Sequence, residues 1–531
     1  MIFEDVPTLL ARLGRGSDRA TPALTFYRGR TLVGQLFRQE LRERVERAAA
    51  TLQRLGVGTG DRVAIGAPNG LDVPVWLLAI WRIGAVAVPL NATSSADWRH
   101  ILDHAGVRGL VAAPDLAGAV PTTALEFVRS FDEGFGPVPT APLPAPTAPL
   151  PTTSALGDAA AIILYTSGTT GLPKGVTLSQ RNLLANAWGM ARNFGLVGAT
   201  QLAVLPLYHA HALGFGLMTA LTTGGHLVFT ERFDPLAWAE VARAQAVEYA
   251  SLTPNLLPLL LQTHLQRADV PSLRALLVSS APLAADVARR FEAETAVPLV
   301  HGWGLSEYTN FACCTSPFSD DGDRRALLYG DELPSVGPPL AGTEVSVRDE
   351  AGEPRGDGDR GELCVRGPSR MLSYFRDPAA TRQALYGDWL RTGDQGLFRM
   401  HGGRPHFYVT GRLKEIIIRG GEKYSPVAVE NRLLAELPEL VGRVAIVGFP
   451  HTLQGEEIGA YVEIDLVPDG LETRLLGAIE RLPVELRPRV VLHGAQPIPR
   501  THTGKVQRRH LLPLFDAFKE HRGRTQLQRV N

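Results

Sequence analysis

The segment with the densest chemistry is Tyr165-Thr166-Ser167-Gly168-Thr169-Thr170-Gly171-Leu172-Pro173-Lys174-Gly175, which gathers four aliphatic hydroxyls, three glycines and a lysine within eleven residues. Glycines let a backbone approach an anion closely, hydroxyl and N–H groups donate to its oxygens, and lysine adds a point charge. A polyphosphate suits that set. The spacing is not that of a Walker A loop. The segment follows an apolar run and precedes a helical pattern, so it reads as a strand-to-helix loop.

Four further segments carry reactive types. Gly302-Trp303-Gly304-Leu305-Ser306-Glu307 places an indole between glycines, able to offer a face to a planar base, with a carboxylate nearby that suits Mg²⁺. Arg391-Thr392-Gly393-Asp394 reads as a tight turn whose aspartate can accept two hydroxyls. Thr410-Gly411-Arg412-Leu413-Lys414-Glu415 and the following Arg419-Gly420-Gly421-Glu422-Lys423 pair glycines with an apolar run. Near the end, Pro499-Arg500-Thr501-His502-Thr503-Gly504-Lys505 puts a lysine on a glycine-containing loop, a group that domain closure can deliver to a distant site. Taken singly, each has a bland explanation: a core tryptophan, an Asx-capped turn, a surface lysine.

These groups need a scaffold, and the apolar pattern supplies one. From Asp158 to His301, short apolar runs alternate with helical stretches, implying βαβ units and a mostly parallel sheet. Ligands of such sheets sit beyond the carboxyl ends of the strands, where several of the segments fall. The first 135 residues hold similar units, and residues 137–153 are a Pro-rich stretch that reads as an extended surface loop. After Pro338, short alternating runs between glycine turns suggest a small antiparallel sheet or barrel. A last segment from about Leu413 is long enough to be its own domain. The expected architecture is α/β: a large N-terminal domain, 1–411, of βαβ subdomains with a β-barrel part at about 338–411, and a small mobile α+β domain, 412–531.

Composition narrows the class. Lys plus Arg and Asp plus Glu both total 54 in 531 residues, so no global field favours nucleic acid. Three cysteines (Cys313, Cys314 and Cys364) form neither a disulfide framework nor a zinc pattern, consistent with a reducing compartment. The start has acids before its apolar run rather than a secretory pattern. The most apolar window, Trp76 to Leu90, contains Arg82 and is shorter than the roughly 20 residues of a membrane span. A cytoplasmic multidomain α/β protein is expected.

Together, in this order, the five segments resemble the acyl-adenylate-forming superfamily of acyl-CoA synthetases, adenylation domains of peptide synthetases and firefly-type luciferases. The likeness runs from about Leu24 to Leu511. It implies that Thr166, Ser167, Gly168, Thr169, Thr170, Gly171 and Lys174 grip the ATP phosphates. It implies that Gly302, Trp303, Gly304, Ser306, Ala281 and Pro282 flank adenine, that Glu307 and Thr166 hold Mg²⁺, and that Asp394 and Arg412 bind ribose. It makes Lys414 the hinge, Lys505 the lysine bridging substrate carboxylate and α-phosphate, and Gly420 and Gly421 the lining of the pantetheine path. Catalysis would rest on Lys505, Lys174 and Glu307. Trp303 departs from the family's tyrosine, and Ser279-Ser280 from its glycine-rich segment.

Leu205-Pro206-Leu207-Tyr208-His209-Ala210-His211 is similar to the synthetase version of a substrate-side motif. His209 stands where amino-acid-activating relatives usually carry an aspartate for the ammonium. An unpaired buried ammonium is expensive, which favours a small carboxylic acid without an α-amino group; His211 reads as structural. The resemblance implies thioester formation on CoA, or on a carrier protein supplied in trans, whose phosphopantetheine arm is the same. A luciferase-like oxygenase and a non-catalytic nucleotide-binding scaffold are the rivals. Retention of Lys505, Lys174 and Glu307 argues against the scaffold.

Overall fold

The computed structural model describes residues 5–13, 21–93, 95, 97–117, 125–134, 153–166, 173–330, 333–501, 504–521 and 525–530. The Pro-rich stretch lies almost wholly outside them, as do Ser167 through Gly171.

Two large sheets carry the N-terminal part. One has eight strands, running from Phe311–Cys314 through Leu299–Gly304, Ala275–Val278, Tyr249–Leu252, Thr200–Ala203, His226–Thr230 and Pro22–Arg28 to Thr31–Phe37. Its interior pairs are parallel and its two edge pairs antiparallel. The other has seven, ordered Ser373–Tyr374, Lys174–Ser179, Ala160–Thr166, Val86–Pro89, Arg62–Gly66, Gly109–Ala112, Phe127–Ser130. Parallel strands covered on both faces have no polar side, which explains runs such as Ala275–Val278, buried at every position. The most apolar window covers the second half of the helix Asp72–Arg82, whose residues Val73 through Trp81 are all buried, and the strand Val86–Pro89 that follows it. Among the described residues no helix is long and apolar enough to cross a membrane.

The run-and-helix alternation falls where the sequence places it, with one correction. Lys174–Ser179 is a strand, paired antiparallel with Ala160–Thr166, and only then does the helix Gln180–Phe194 begin. The phosphate-loop segment is therefore followed by a strand, antiparallel to the one before it, rather than opening a helix. The alternation of Val176 and Leu178 with Gly175 and Thr177 satisfies strand pairing, and Ser179 caps the delayed helix by accepting from Asn182 N at 3.1 Å.

A five-stranded antiparallel unit follows: Glu344–Arg348, Gly361–Arg366, Trp389–His401, Leu385–Tyr386 and Arg404–Arg412. Beyond it the chain makes a small α+β domain. Strands Ile417–Arg419, Glu422–Tyr424, Val444–His451, Gly455–Glu463, Val490–Gly494 and Gln526–Arg529 form its sheet, with helices Pro426–Glu436 and Leu471–Arg481 packed on it. Its buried residues make two clusters of their own.

Candidate active site

The C-terminal domain delivers Lys505 to the N-terminal part. The delivering loop is tightly tied: Thr501 N donates to Lys505 O at 2.8 Å, Lys505 N donates to Thr501 Oγ1 at 3.1 Å, and Arg500 Nη1 braces Gly504 O at 2.9 Å. Gly504, at φ 83°, backs onto Asn255; a Cβ there would stand 2.7 Å from Asn255 Oδ1. Lys505 comes within electrostatic reach of Arg412, Asp394, Glu415 and Arg508, and burial followed by Arg412 lowers its ammonium to about 8.

The receiving pair is Asp394 and Arg412. They sit directly opposite each other in neighbouring strands, with Arg412 Nε 2.5 Å from Asp394 Oδ1. Asp394 is thus a strand residue within Trp389–His401, not a turn residue as its sequence suggests. Gly393, at φ 70°, supplies the irregularity that reads as a turn. The second Asp394 oxygen accepts from Trp303 Nε1 at 2.8 Å. Trp303 is 7 % exposed, so the indole here braces the aspartate and shows little open face. A buried indole N–H needs a partner, and the carboxylate supplies it. Asp394 also holds Arg412 above the ordinary arginine range, with Glu307 adding to the effect.

Glu307 lies on the short turn Ser306–Tyr308 after the strand Leu299–Gly304. Tyr374 Oη donates to Glu307 Oε1 at 2.9 Å, and burial, reinforced by that carboxylate, pushes the phenol up. The Tyr374 ring also carries Lys174 Nζ at 5.3 Å from its centroid, while Asp377 stands 4.0 Å from the same ammonium. Tyr374 therefore joins the two groups expected to handle phosphate and metal, because its strand pairs with Lys174–Ser179. Nothing in its local sequence marked it, and Asn255 was equally unmarked. Thr166 Oγ1 lies 3.5 Å from Lys174 O across the hairpin.

On the acid side, His209 is half-buried with its ring 4.5 Å from Tyr208, at the head of the π-helix Ala212–Met218. Ser280 is exposed and takes φ 71°, rare for a residue with a Cβ. Ala281 is half-buried and Pro282 exposed beside it.

Lys414 is exposed on the turn Leu413–Glu415 between the two parts. Its neighbour Glu415 pairs with Arg508 at 2.9 Å, and Arg508 pairs with Glu430 at 2.7 Å and donates to Ile446 O at 2.8 Å. This half-buried network ties the turn Leu413–Glu415 to the chain just beyond Lys505. Gly420 and Gly421 take φ 60° and 89° in the two-residue turn of a hairpin. Turn geometry demands glycine there, and a Cβ on Gly421 would meet nothing within 4 Å.

Residues 20–375 match the model of a family described as AMP-binding enzyme. The chain belongs to that family. A sulfoacetate–CoA ligase of Cupriavidus necator is 34% identical over 86% of this chain and 88% of its own length. A feruloyl-CoA synthase of Amycolatopsis is 32% identical, with 88% and 93% covered. Among solved structures, ATP-bound MatB from Rhodopseudomonas palustris superposes with TM-score 0.83 at 26% identity, covering 97% of this chain and 100% of that one. The apo form of the same protein gives 0.73 at 26% identity over 98% and 100%. This member of the AMP-binding family is an AMP-forming acid–thiol ligase of the acyl-CoA ligase group, and it superposes with a higher score on the ATP-bound form of that relative than on the apo form.

Proposed function

We propose that this ligase activates a small carboxylic acid without an α-ammonium to an acyl-adenylate and transfers the acyl group to the thiol of CoA. The observation that carries the reading is the docking of the Lys505 loop against Asn255 and beside the Asp394–Arg412 pair.

In the first half-reaction a carboxylate oxygen bonds to the α-phosphorus of ATP, the bond from that phosphorus to the bridging oxygen breaks, and pyrophosphate leaves. Two anions must meet, so the site must supply positive charge and exclude water. Lys505 bridges the carboxylate and the α-phosphate, and Lys174 holds the outer phosphates with the Thr166–Gly171 segment. Asp394, braced by Trp303 and Arg412, accepts from the ribose hydroxyls through its remaining lone pairs. Gly302, Gly304, Ser306, Ala281 and Pro282 flank adenine, and His209 faces the acid. The donor set fits Mg²⁺, which keeps several waters and takes few protein ligands: Glu307 leaves one carboxylate oxygen outside its bond with Tyr374, and Thr166 offers a hydroxyl. When bound, the ion would neutralise phosphate charge.

In the second half-reaction the thiol sulfur bonds to the acyl carbon, the carbon–oxygen bond to AMP breaks, AMP leaves, and the thiol proton goes to solvent. Rotation of 412–531 about Lys414 withdraws Lys505 and brings the Gly420–Gly421 turn to the pantetheine path. Acid-dependent exchange of pyrophosphate into ATP, followed by thioester formation on free CoA, tests the reading. Exchange without thioester on CoA, but with thioester on a carrier protein, would replace the acceptor. No exchange across a broad acid panel would remove the proposal.

A further inference from the structure

The acid side of the crevice holds polar atoms that the two half-reactions leave unused. His211 is 4 % exposed, and its Nδ1 lies 3.0 Å from Ser280 Oγ and 3.1 Å from Ser279 Oγ. Its other ring nitrogen, Nε2, has no hydrogen-bond partner among the described residues. Neither has Nδ2 of the buried Asn310. Both groups border one small region. Asn310 lies against Gly214, a turn beyond His211, where a Cβ would stand 2.8 Å from Asn310 Nδ2. Phe311, next in the chain, meets the His211 ring edge-on at 5.2 Å and covers Gly302, where a Cβ would stand 2.7 Å from the phenyl ring.

Buried polar atoms nearly always find a partner, and leaving one without is costly. Two such atoms around one ring mark a place for a ligand atom. Ser280 strengthens the case. Its left-handed backbone is unfavourable for a side chain with a Cβ, yet it sets the hydroxyl on the imidazole while the residue is exposed. His211 therefore lies one side chain behind the exposed Ser280.

The chemistry of the missing atom follows from charge. The groups facing His211 are Ser279, Ser280, Phe311 and His209, with no arginine or lysine among them. Burial, then His209, lowers the imidazole to about 3, so the ring is neutral at ordinary pH. A second carboxylate or a sulfonate there would be buried without a counter-charge, which is expensive. An uncharged oxygen is not. A hydroxyl satisfies either tautomer, donating to a bare Nε2 or accepting from Nε2–H, and it also accepts from Asn310 Nδ2. Phe311 over Gly302 and Asn310 against Gly214 leave little depth, so the chain bearing that oxygen is short.

We infer that the pocket selects a compact carboxylic acid carrying an uncharged oxygen, a hydroxyl or a carbonyl, on its acyl chain, with His211 and Asn310 as the specificity-determining residues. The inference rests on the ligase reading above. Pyrophosphate exchange is to be measured with matched acids: 3-hydroxypropanoate, butanoate and malonate; 4-hydroxybutanoate, pentanoate and succinate; levulinate and 4-methylpentanoate. In at least one set the oxygenated acid should exceed both its hydrocarbon counterpart and any matched dicarboxylate in kcat/KM by about tenfold or more. His211→Leu should bring the oxygenated-to-hydrocarbon ratio within about threefold of unity, and Asn310→Leu reads the same ratio if that variant is insoluble. Preference for hydrocarbon or dicarboxylate in every set, or a ratio that survives substitution, overturns the inference and leaves the ligase reading standing. Absence of exchange with every acid removes the ligase reading and the inference with it.

Discussion

Lys505 carries its charge into a crevice already occupied by Arg412, and the sign of that effect is measurable. The ammonium, lowered to about 8, lies below the free-lysine range, so ligand-free docking disfavours the charged form. That cost is present at pH 7 and fades as pH climbs from about 8 toward the free-lysine value. Phosphate and carboxylate anions reverse the preference by stabilising the ammonium, which couples closure to substrate binding. We expect kcat/KM for adenylation to fall as pH rises above about 8. Lys505→Arg, charged at every accessible pH, should be slower and should lose that limb. An unchanged limb in the arginine variant would assign it to another group. Trp303→Phe keeps a ring but removes the donor to Asp394; since hydrogen bonds to charged groups contribute about 1.5–3 kcal/mol, KM for ATP should rise roughly tenfold or more, with kcat moving less. The residues the sequence singled out were those with unusual local composition, such as Lys174, Asp394 and Lys505. Tyr374, Asn255 and Arg508 were missed because their roles come only from what folding brings beside them.

At the scale of elements, most strands and helices were legible, since continuous apolar runs and their helical crossovers are local signals. The hairpin at the phosphate loop was not. Its second strand, Lys174–Ser179, merges in sequence with the helix that follows, and pairing with Ala160–Thr166 decides its conformation. The strand character of Asp394 was masked by Gly393 in the same way. The element most in need of a test is the network that joins the hinge turn to the Lys505 loop. Removing Arg508 would strand two half-buried glutamates, a cost of about 3–5 kcal/mol that would confuse folding with function. Glu415→Gln is gentler, because Glu430 still pairs with Arg508. We expect it to slow adenylation about tenfold, as reckoned from one lost charge-assisted bond, while thioester formation from supplied adenylate falls less. Equal losses in both steps would show that the network merely stabilises the domain.

Across the whole molecule, the separation of cores matters most. The residues from Ile417 onward bury their apolar side chains among themselves, leaving the Lys423–Glu350 ion pair and the close approach of Gly504 to Asn255 among the contacts that bridge the two parts. Interfaces of that kind permit relative motion, which the proposed two-step reaction needs. The most direct test of the central claim measures the two half-reactions separately in Lys505→Ala. The account predicts a loss of acid-dependent pyrophosphate exchange of about a hundredfold or more, the scale for removing a group that stabilises developing charge. Thioester formation from supplied acyl-adenylate and CoA should stay within about threefold of the unsubstituted enzyme, since that step makes no use of the lysine. Exchange that survives the substitution, or both steps lost alike, would contradict it.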